Sequence, residues 1–306
     1  MNISFERPWV AGLRGRLSAS LLSAAILSAG MSITAFAEES PKEIKPDAPC
    51  ATAACHAGIL EMKVLHAPTA ANQCAACHNP KGNRHEFTLA GQGAALCAGC
   101  HEPLEKKKVF HKPAAEGCTT CHNPHGGETK ALLVCEESKL CIRCHGHMHL
   151  AKEIAEGKSS HSIALEGKGC LTCHQPHASD HIALLNAEYP AAFRAPFAPK
   201  SYALCFQCHS QALATEFETT GATNFRNGTR NLHALHVNNK ESGLSCRACH
   251  VPHAADQPHL LRDSVPAGPA GWSATLHFQE TKTGGACALG CHLLSAYDRE
   301  RPVKEK

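Results

Sequence analysis

Nine times in this 306-residue chain a histidine directly follows a cysteine, with a second cysteine a few residues upstream. Seven of these have a two-residue gap: Cys74/Cys77-His78, Cys97/Cys100-His101, Cys118/Cys121-His122, Cys141/Cys144-His145, Cys170/Cys173-His174, Cys205/Cys208-His209 and Cys246/Cys249-His250. Two depart from it: Cys50-Ala-Thr-Ala-Ala-Cys55-His56 has four intervening residues and Cys287-Ala-Leu-Gly-Cys291-His292 has three. Thiols so spaced can add across two porphyrin vinyl groups, which holds the next imidazole under the iron; C-x-x-C-H is the attachment signal for c-type haem. Zinc ribbons also use C-x-x-C pairs, but they close a site without needing histidine after each pair. Thioredoxin-like redox pairs fail for the same reason, and no βαβ pattern surrounds any pair. The nine motifs take 18 of the 19 cysteines, so nine covalent haems are expected.

A second axial ligand for each iron must come from the 14 histidines that remain. His125, His177 and His253 each lie three residues after a proximal histidine, behind a proline. From there the backbone cannot readily round its own haem, so such a ligand would serve a neighbouring one. His66, His111, His161 and His236 stand ahead of motif pairs and can reach their own or an adjacent haem. His85 lies seven residues past His78, as His181 does past His174, and is the natural substitute where Lys81 breaks the pattern. The ninth ligand is open among His147, His149, His181, His233, His259 and His277; the long segment before the last motif favours His277. Met62 and Met148 are the only methionines after residue 37, which limits His/Met ligation, with its higher potential, to two irons. Cys135, in VCEESKL, is left over and reads as a partly buried helical cysteine, with an intermolecular disulfide as the alternative.

Residues 1–37 read as a secretory signal: Arg7, Arg14 and Arg16 lead, an apolar run follows, and Ala35-Phe36-Ala37 offers a cleavage box. No later run is long and apolar enough to span a membrane, so a soluble exported product in a periplasm is expected. Losing three arginines and one glutamate takes the formal charge from +3 to +1. Haem propionates would make the assembled protein acidic, so its basic sequence pI is no argument for nucleic acid as a partner.

The domain expected at 38–306 holds a lone motif at 50–56 and four doubled repeats at about 66–101, 111–145, 161–209 and 236–292. The second shows the unit best: His111, then Cys118-Thr-Thr-Cys121-His122-Asn-Pro-His125, then Leu132-Leu133, then Cys141 to His145. Successive proximal histidines are 21–23 residues apart up to His145, then 29, 35, 41 and 42, which predicts longer loops at 186–204 and 263–286. Aromatic residues are only 5% of the chain, so covalent cofactors must supply most of the core. The fold expected is mostly coil with short α-helices, at 147–156 and 201–217 among others. Little or no β-sheet is expected, because no long period-2 run stands out. The haem-packed core would form an elongated haem chain.

The unit at 111–145 resembles the doubled-CxxCH multihaem c-type cytochromes and is similar to stretches of the periplasmic multihaem cytochromes that feed outer-membrane electron conduits. That resemblance implies bis-His irons in a continuous haem chain and an electron-transfer role in anaerobic or extracellular respiration. Its implied partners are membrane quinol-oxidising cytochromes and outer-membrane or extracellular multihaem cytochromes. Lys81, the odd gaps and the count of nine depart from the pattern. Two other functions fit nine haems: an oxidoreductase acting on nitrite, hydroxylamine or a sulfur oxyanion at an open iron, or a haem filament subunit. Every motif ends in histidine and no long stretch is free of motifs, which favours the carrier over the enzyme. Mass spectrometry of the mature protein should find nine covalent haems; a load of seven would remove the two irregular motifs from the attachment set.

Overall fold

A computed structural model of the chain describes residues 43–45, 48–104, 107–146, 154, 156–165, 169–241, 243–266, 272–289 and 292–304. These lie in one unit, Lys42–Lys306. The expected signal segment and most of the helix expected at 147–156 fall outside the described residues.

The polypeptide is mostly loop, broken by single helical turns and two-residue strand pairs. The regular motifs explain the turns. His101, His122, His174, His209 and His250 each donate their backbone N–H to the leading cysteine's carbonyl, at 2.9–3.0 Å. One such turn brings residues i, i+3 and i+4 to a common face, so both thiols and the imidazole emerge together. The long helix expected over 201–217 is instead split into Pro199–Tyr202, Ala203–Phe206 and Ala212–Thr215. Cys135 sits in a bend ahead of the helix Glu137–His145, not within a helix.

Three strand pairs interlock successive repeats. Val64–Leu65 pairs with Gly126–Gly127, Val109–Phe110 with Ala178–Ser179, and Ser159–Ser160 with Ala254–Ala255, all antiparallel. In each, the segment ahead of one repeat's opening histidine joins the segment just after the next repeat's C-H-x-P-H. A third recurrent device uses the Leu-Leu pairs. Leu132, Leu184 and Leu260 take positive φ, and Leu133, Leu185 and Leu261 then bridge back to His122, His174 and His250.

The C-terminal region departs from the expected loop at 263–286. Ser264–Pro266, Ser273–Glu280, Gly284–Leu289 and His292–Asp298 form a four-stranded antiparallel sheet in sequence order. The long strand does alternate: Ala274 and Leu276 are buried and Phe278 is partly buried, while Ser273, Thr275, His277 and Gln279 are exposed. That period-2 signal is short, since only three apolar side chains, one of them an alanine, carry it. Ala248, Val265 and Leu276 make one buried cluster, and Tyr202, Ala214 and Val237 another. Every buried hydrophobic among the described residues lies between Leu185 and Tyr297. Before Leu185 the described chain buries none, and Leu60, Phe87, Leu89, Phe110 and Ile182 are exposed. A chain of that length cannot be stable on such a core, so another apolar body must fill it.

Truncating the inner face of the sheet should cost far more than truncating the outer. Leu276→Ala should lose about 2–5 kcal/mol through burial and cavity terms. Thr275→Ala should stay within about 0.5 kcal/mol. Thermal unfolding followed by the strand signal in circular dichroism reads both.

Candidate haem-ligand site

The first motif shows how its extra residues are accommodated. His56 donates its N–H to the Cys50 carbonyl at 3.1 Å, the same histidine-to-leading-cysteine bond that the regular turns make. The surplus is looped out, with Cys55 N–H donating to the carbonyl and hydroxyl of Thr52, both at 3.2 Å. The ninth motif is built differently: Cys287 lies on a strand, with a register shift between Cys287 and Leu289 before the chain returns at His292. Cys291 and the side chain of His292 lie outside the described residues.

The polypeptide covers the attachment cysteines unequally. The trailing cysteines Cys100 and Cys208 are exposed, as are Cys55 and Cys144, while the leading Cys97 and Cys205 are partly covered. The turn is not the cause, since Cys77, Cys121 and Cys173 close on their leading cysteines by the same bond and are partly covered. What differs is the segment that follows: it returns to the carbonyls of Cys77, Cys121 and Cys173 through the N–H of Ala90, Val134 and Asn186. Cys249 belongs with this covered set. It closes the helix Cys246–Cys249 and packs against the Ala248, Val265 and Leu276 cluster, and its carbonyl accepts from the Arg262 N–H at 2.8 Å. Protein thus covers Cys249 from one side, where Cys100 and Cys208 have no packed cluster beside them among the described residues. Attachment requires only that the polypeptide leave each sulfur open toward a vinyl carbon, and partial cover at Cys249 meets that condition.

Eight proximal histidines each face a second imidazole. The pairs are His56–His85, His66–His101, His78–His125, His111–His145, His122–His177, His161–His209, His174–His253 and His233–His250. Their ring centroids are 5.8–6.3 Å apart. Interplanar angles are 13–31°, except 47° for His122–His177. Two metal–imidazole bonds of about 2.0–2.1 Å plus two ring radii of about 1.1 Å span about 6.3 Å, so one metal ion fits between the rings of every pair. No group of three or more His, Cys, Asp or Glu among the described residues is arranged to hold a metal alone. Two imidazoles need equatorial donors from elsewhere, and a porphyrin attached at the adjacent thiols supplies them.

The ring nitrogens are held in one sense. Nδ1 of His122, His174 and His250 lies 2.7, 2.8 and 2.9 Å from the carbonyl oxygens of Ala131, Ala183 and His259, at the left-handed Leu-Leu turns. Among the opening histidines, Nδ1 of His66 and His111 lies 2.8 Å from the carbonyls of Pro124 and Pro176. A carbonyl can only accept, so Nδ1 carries the proton and Nε2 is left free for a metal. Burial, reinforced by neighbouring imidazoles, holds His125, His161 and His177 below the ordinary histidine value and His233 at about 4. Burial likewise depresses His250. A metal ligand must be neutral, and these rings are kept so.

The interlocking strands explain which histidine meets which. His66, His111 and His161 donate their backbone N–H to the carbonyls of His125, His177 and His253, at 3.0, 2.9 and 3.0 Å. Each strand pair therefore presents two imidazoles, one to each motif of the upstream repeat. His66 faces the second motif at His101, while His125, from the following repeat, faces the first at His78. His85 turns to the lone motif's His56, the upstream motif that a histidine at the Lys81 position would serve by the pattern of the later repeats. The Lys81 backbone N–H donates to the Glu86 carbonyl.

At the C-terminal end no further repeat exists in the sequence to lend a histidine to His250. His233 does so instead, from the helix Leu232–Val237 that also carries His236. Asn231 caps this helix, its side chain accepting from the N–H of His233 and Ala234. Thr223 Oγ1 lies 2.9 Å from His233 Nδ1, and Leu232 O lies 2.7 Å from His236 Nδ1. Phe225 meets His233 edge-on at 5.1 Å and lies over His236 at 5.9 Å.

The favoured ninth ligand, His277, is exposed on the outer face of its strand, where no ring among the described residues stands opposite it. The ring that meets His250 is that of His233, one of the alternatives beside it. His181 and His259 pair with Glu188 and Glu280 at 3.1 and 3.3 Å rather than with another imidazole. Met62 sulfur lies 3.9 Å from the Asn123 side-chain amide, and Met148, His147 and His149 fall outside the described residues. The sequence did carry the missed signal: His233-x-x-His236 puts two rings on one side of a helical turn.

Residues 66–106, 111–150 and 161–214 each match the family model described as the doubled CXXCH motif. No curated protein matches the chain. The matched segments coincide with the first three repeats, and the lone motif and the C-terminal sheet lie outside them.

Ligand removal separates the two assignments. His85→Ala and His233→Ala should each turn one low-spin iron high-spin with covalent haem load unchanged, and His125→Ala should do the same. His277→Ala should leave the electron paramagnetic resonance spectrum as it was; a new high-spin signal there would restore His277.

Proposed function

We propose that this chain, a member of the doubled-CXXCH multihaem cytochromes, is an electron carrier that relays electrons through nine covalently held c-type haems in a bacterial periplasm. When bound, haem c supplies a one-electron iron couple tuned by its axial ligands. The chain's own residues then set where the couples sit and what can reach them. The 18 motif cysteines would anchor the cofactors, and the imidazole pairs would hold the irons between them. His236 is the ligand we assign to the ninth motif: it follows the opening position of the other repeats, and its Nδ1 is already engaged by the Leu232 carbonyl.

The observation that carries this reading is the ring pairing. A catalyst needs an iron with one open face and acid/base groups beside it. Each of the eight pairs instead sets a second imidazole across that face, and Nδ1 of His66, His111 and His233 is held by a neighbouring oxygen. Outer-sphere exchange at a haem edge needs no such vacancy, so closing the faces removes substrate chemistry while leaving electron transfer. Neighbouring thiols follow the order of the motifs: Cys50 by Cys74, Cys77 by Cys97, Cys97 by Cys118, Cys121 by Cys144, Cys141 by Cys170, Cys173 by Cys205, and Cys205 by Cys246. That order makes the route one line from the first motif to the eighth, with its exchange partners at the ends. Those partners are quinol-oxidising membrane cytochromes on one side and outer-membrane or extracellular multihaem cytochromes on the other.

The reduced protein should bind little or no carbon monoxide, show no appreciable nitrite or hydroxylamine turnover, and exchange electrons rapidly with small redox dyes and other multihaem proteins. Stoichiometric carbon monoxide binding at one iron, with steady reduction of a nitrogen or sulfur oxyanion, would replace the carrier with a reductase.

A further inference from the structure

The first repeat lacks a device that the other three share. In those three the Leu-Leu turn follows the first proximal histidine at a fixed distance: Ala131-Leu132-Leu133 after His122, Ala183-Leu184-Leu185 after His174, and His259-Leu260-Leu261 after His250. After His78 the same places hold Phe87-Thr88-Leu89. The register is kept, since Leu89 pairs with His78 as Leu133, Leu185 and Leu261 do with their histidines. The middle residue differs. Leu132, Leu184 and Leu260 take positive φ, whereas Thr88 stays in an ordinary strand opposite Asn79. A β-branched residue is strained at positive φ, so threonine holds the backbone extended. The preceding carbonyl is therefore not turned inward. Nδ1 of His122, His174 and His250 each has a carbonyl beside it, and no hydrogen bond reaches the His78 ring among the described residues.

The side chain fills the place instead. The Phe87 ring lies edge-on to His78, with 6.3 Å between centroids and 84° between planes. It lies edge-on to His85 as well, at 5.5 Å and 87°. Those two imidazoles serve different motifs, His78 the second and His85 the first, where it faces His56. No hydrogen bond reaches the His85 ring among the described residues either, so its ring contacts orient it. An aromatic face accepts an N–H far more weakly than a carbonyl does. A carbonyl on Nδ1 raises the basicity of an axial imidazole, which favours ferric iron and lowers the potential. We propose that Phe87 is a positioning residue shared by the first two irons, fixing the ring planes of His85 and His78, and that it leaves the second iron at a higher potential than a carbonyl-braced ligand would give. This rests on the reading that every motif carries a haem.

Electron paramagnetic resonance of the fully oxidised holoprotein tests the positioning role, because low-spin g-values follow the ring planes of the two axial imidazoles. Phe87→Ala should shift two of the low-spin signals, and Phe87→Tyr, which keeps the ring, should leave both in place. Phe110→Ala should shift none, since that exposed ring beside His111 meets no imidazole among the described residues. Signals that stay put in Phe87→Ala, or that move equally in Phe110→Ala, would overturn the role. Redox titration tests the potential. Phe87→Gln offers an amide oxygen beside His78 and should lower one midpoint potential, while Phe87→Leu offers none and should lower none. No lowering in Phe87→Gln, or the same lowering in Phe87→Leu, would overturn that part. Mass spectrometry keeps the underlying reading separate. A wild-type load lacking haem at the first or second motif would remove that reading and the proposal with it, whereas unchanged signals at nine haems count against Phe87 alone.

Discussion

Everything in this molecule hangs on an imidazole pair closing on a single point from two directions. Each pair holds a separation of 5.8–6.3 Å, whether its members are near neighbours like His233 and His250 or as remote as His174 and His253. No hydrophobic core enforces that constancy in the first half of the chain, where the described residues bury no apolar side chain. The ring pairs are the long-range contacts that a larger protein would obtain from packed side chains. Helices can then shrink to single turns and strands to two residues, because neither has to be stable alone.

The interlock has ends, and the chain treats them differently. A repeat borrows one imidazole from its successor, so an array needs a special donor wherever a successor is missing. At the N-terminal side Lys81 stands where other repeats place the borrowed histidine, and His85 serves the lone motif. At the C-terminal side a capped helix carries His233, with Phe225 wedged against His233 and His236. This second solution comes with a conventional core: the sheet and the Tyr202 and Leu276 clusters lie in the same part of the chain. Where repeats no longer brace one another, ordinary burial takes over, and it reaches as far as the attachment cysteine Cys249.

The sequence made the local chemistry legible because C-x-x-C-H is a single-turn signal, complete within five residues. It also directed His125, His177 and His253 away from their own motifs, since a histidine three residues from the proximal one and behind a proline has no ready path around the same ring. Long-range choices were harder. His85 and His233 could be chosen only by knowing that borrowed ligands come from the next repeat, that Lys81 takes the usual place in the first repeat, and that no C-H-x-P-H segment follows His253 in the sequence. His277 was favoured by its loop, but the loop is a strand whose alternation rests on Ala274, Leu276 and Phe278. The unequal cover of Cys100, Cys208 and Cys249 was equally hidden, since identical motifs meet different neighbours along the chain. The Leu-Leu pairs were visible as a repeat, yet their purpose was not. Their positive φ turns the preceding carbonyl onto the proximal Nδ1, which only backbone geometry reveals.

The borrowing also gives the molecule a direction in time. A chain emerges from its N-terminus, and early segments fold before later ones exist. His101 finds His66 already made, but His78 must wait for His125, His122 for His177, and His174 for His253. One proximal imidazole therefore trails unmatched behind the growing end, each pair completed only when the following unit arrives. The short spacing in the N-terminal half keeps that wait brief. It is longest for His174, just before the chain changes to a self-sufficient ending.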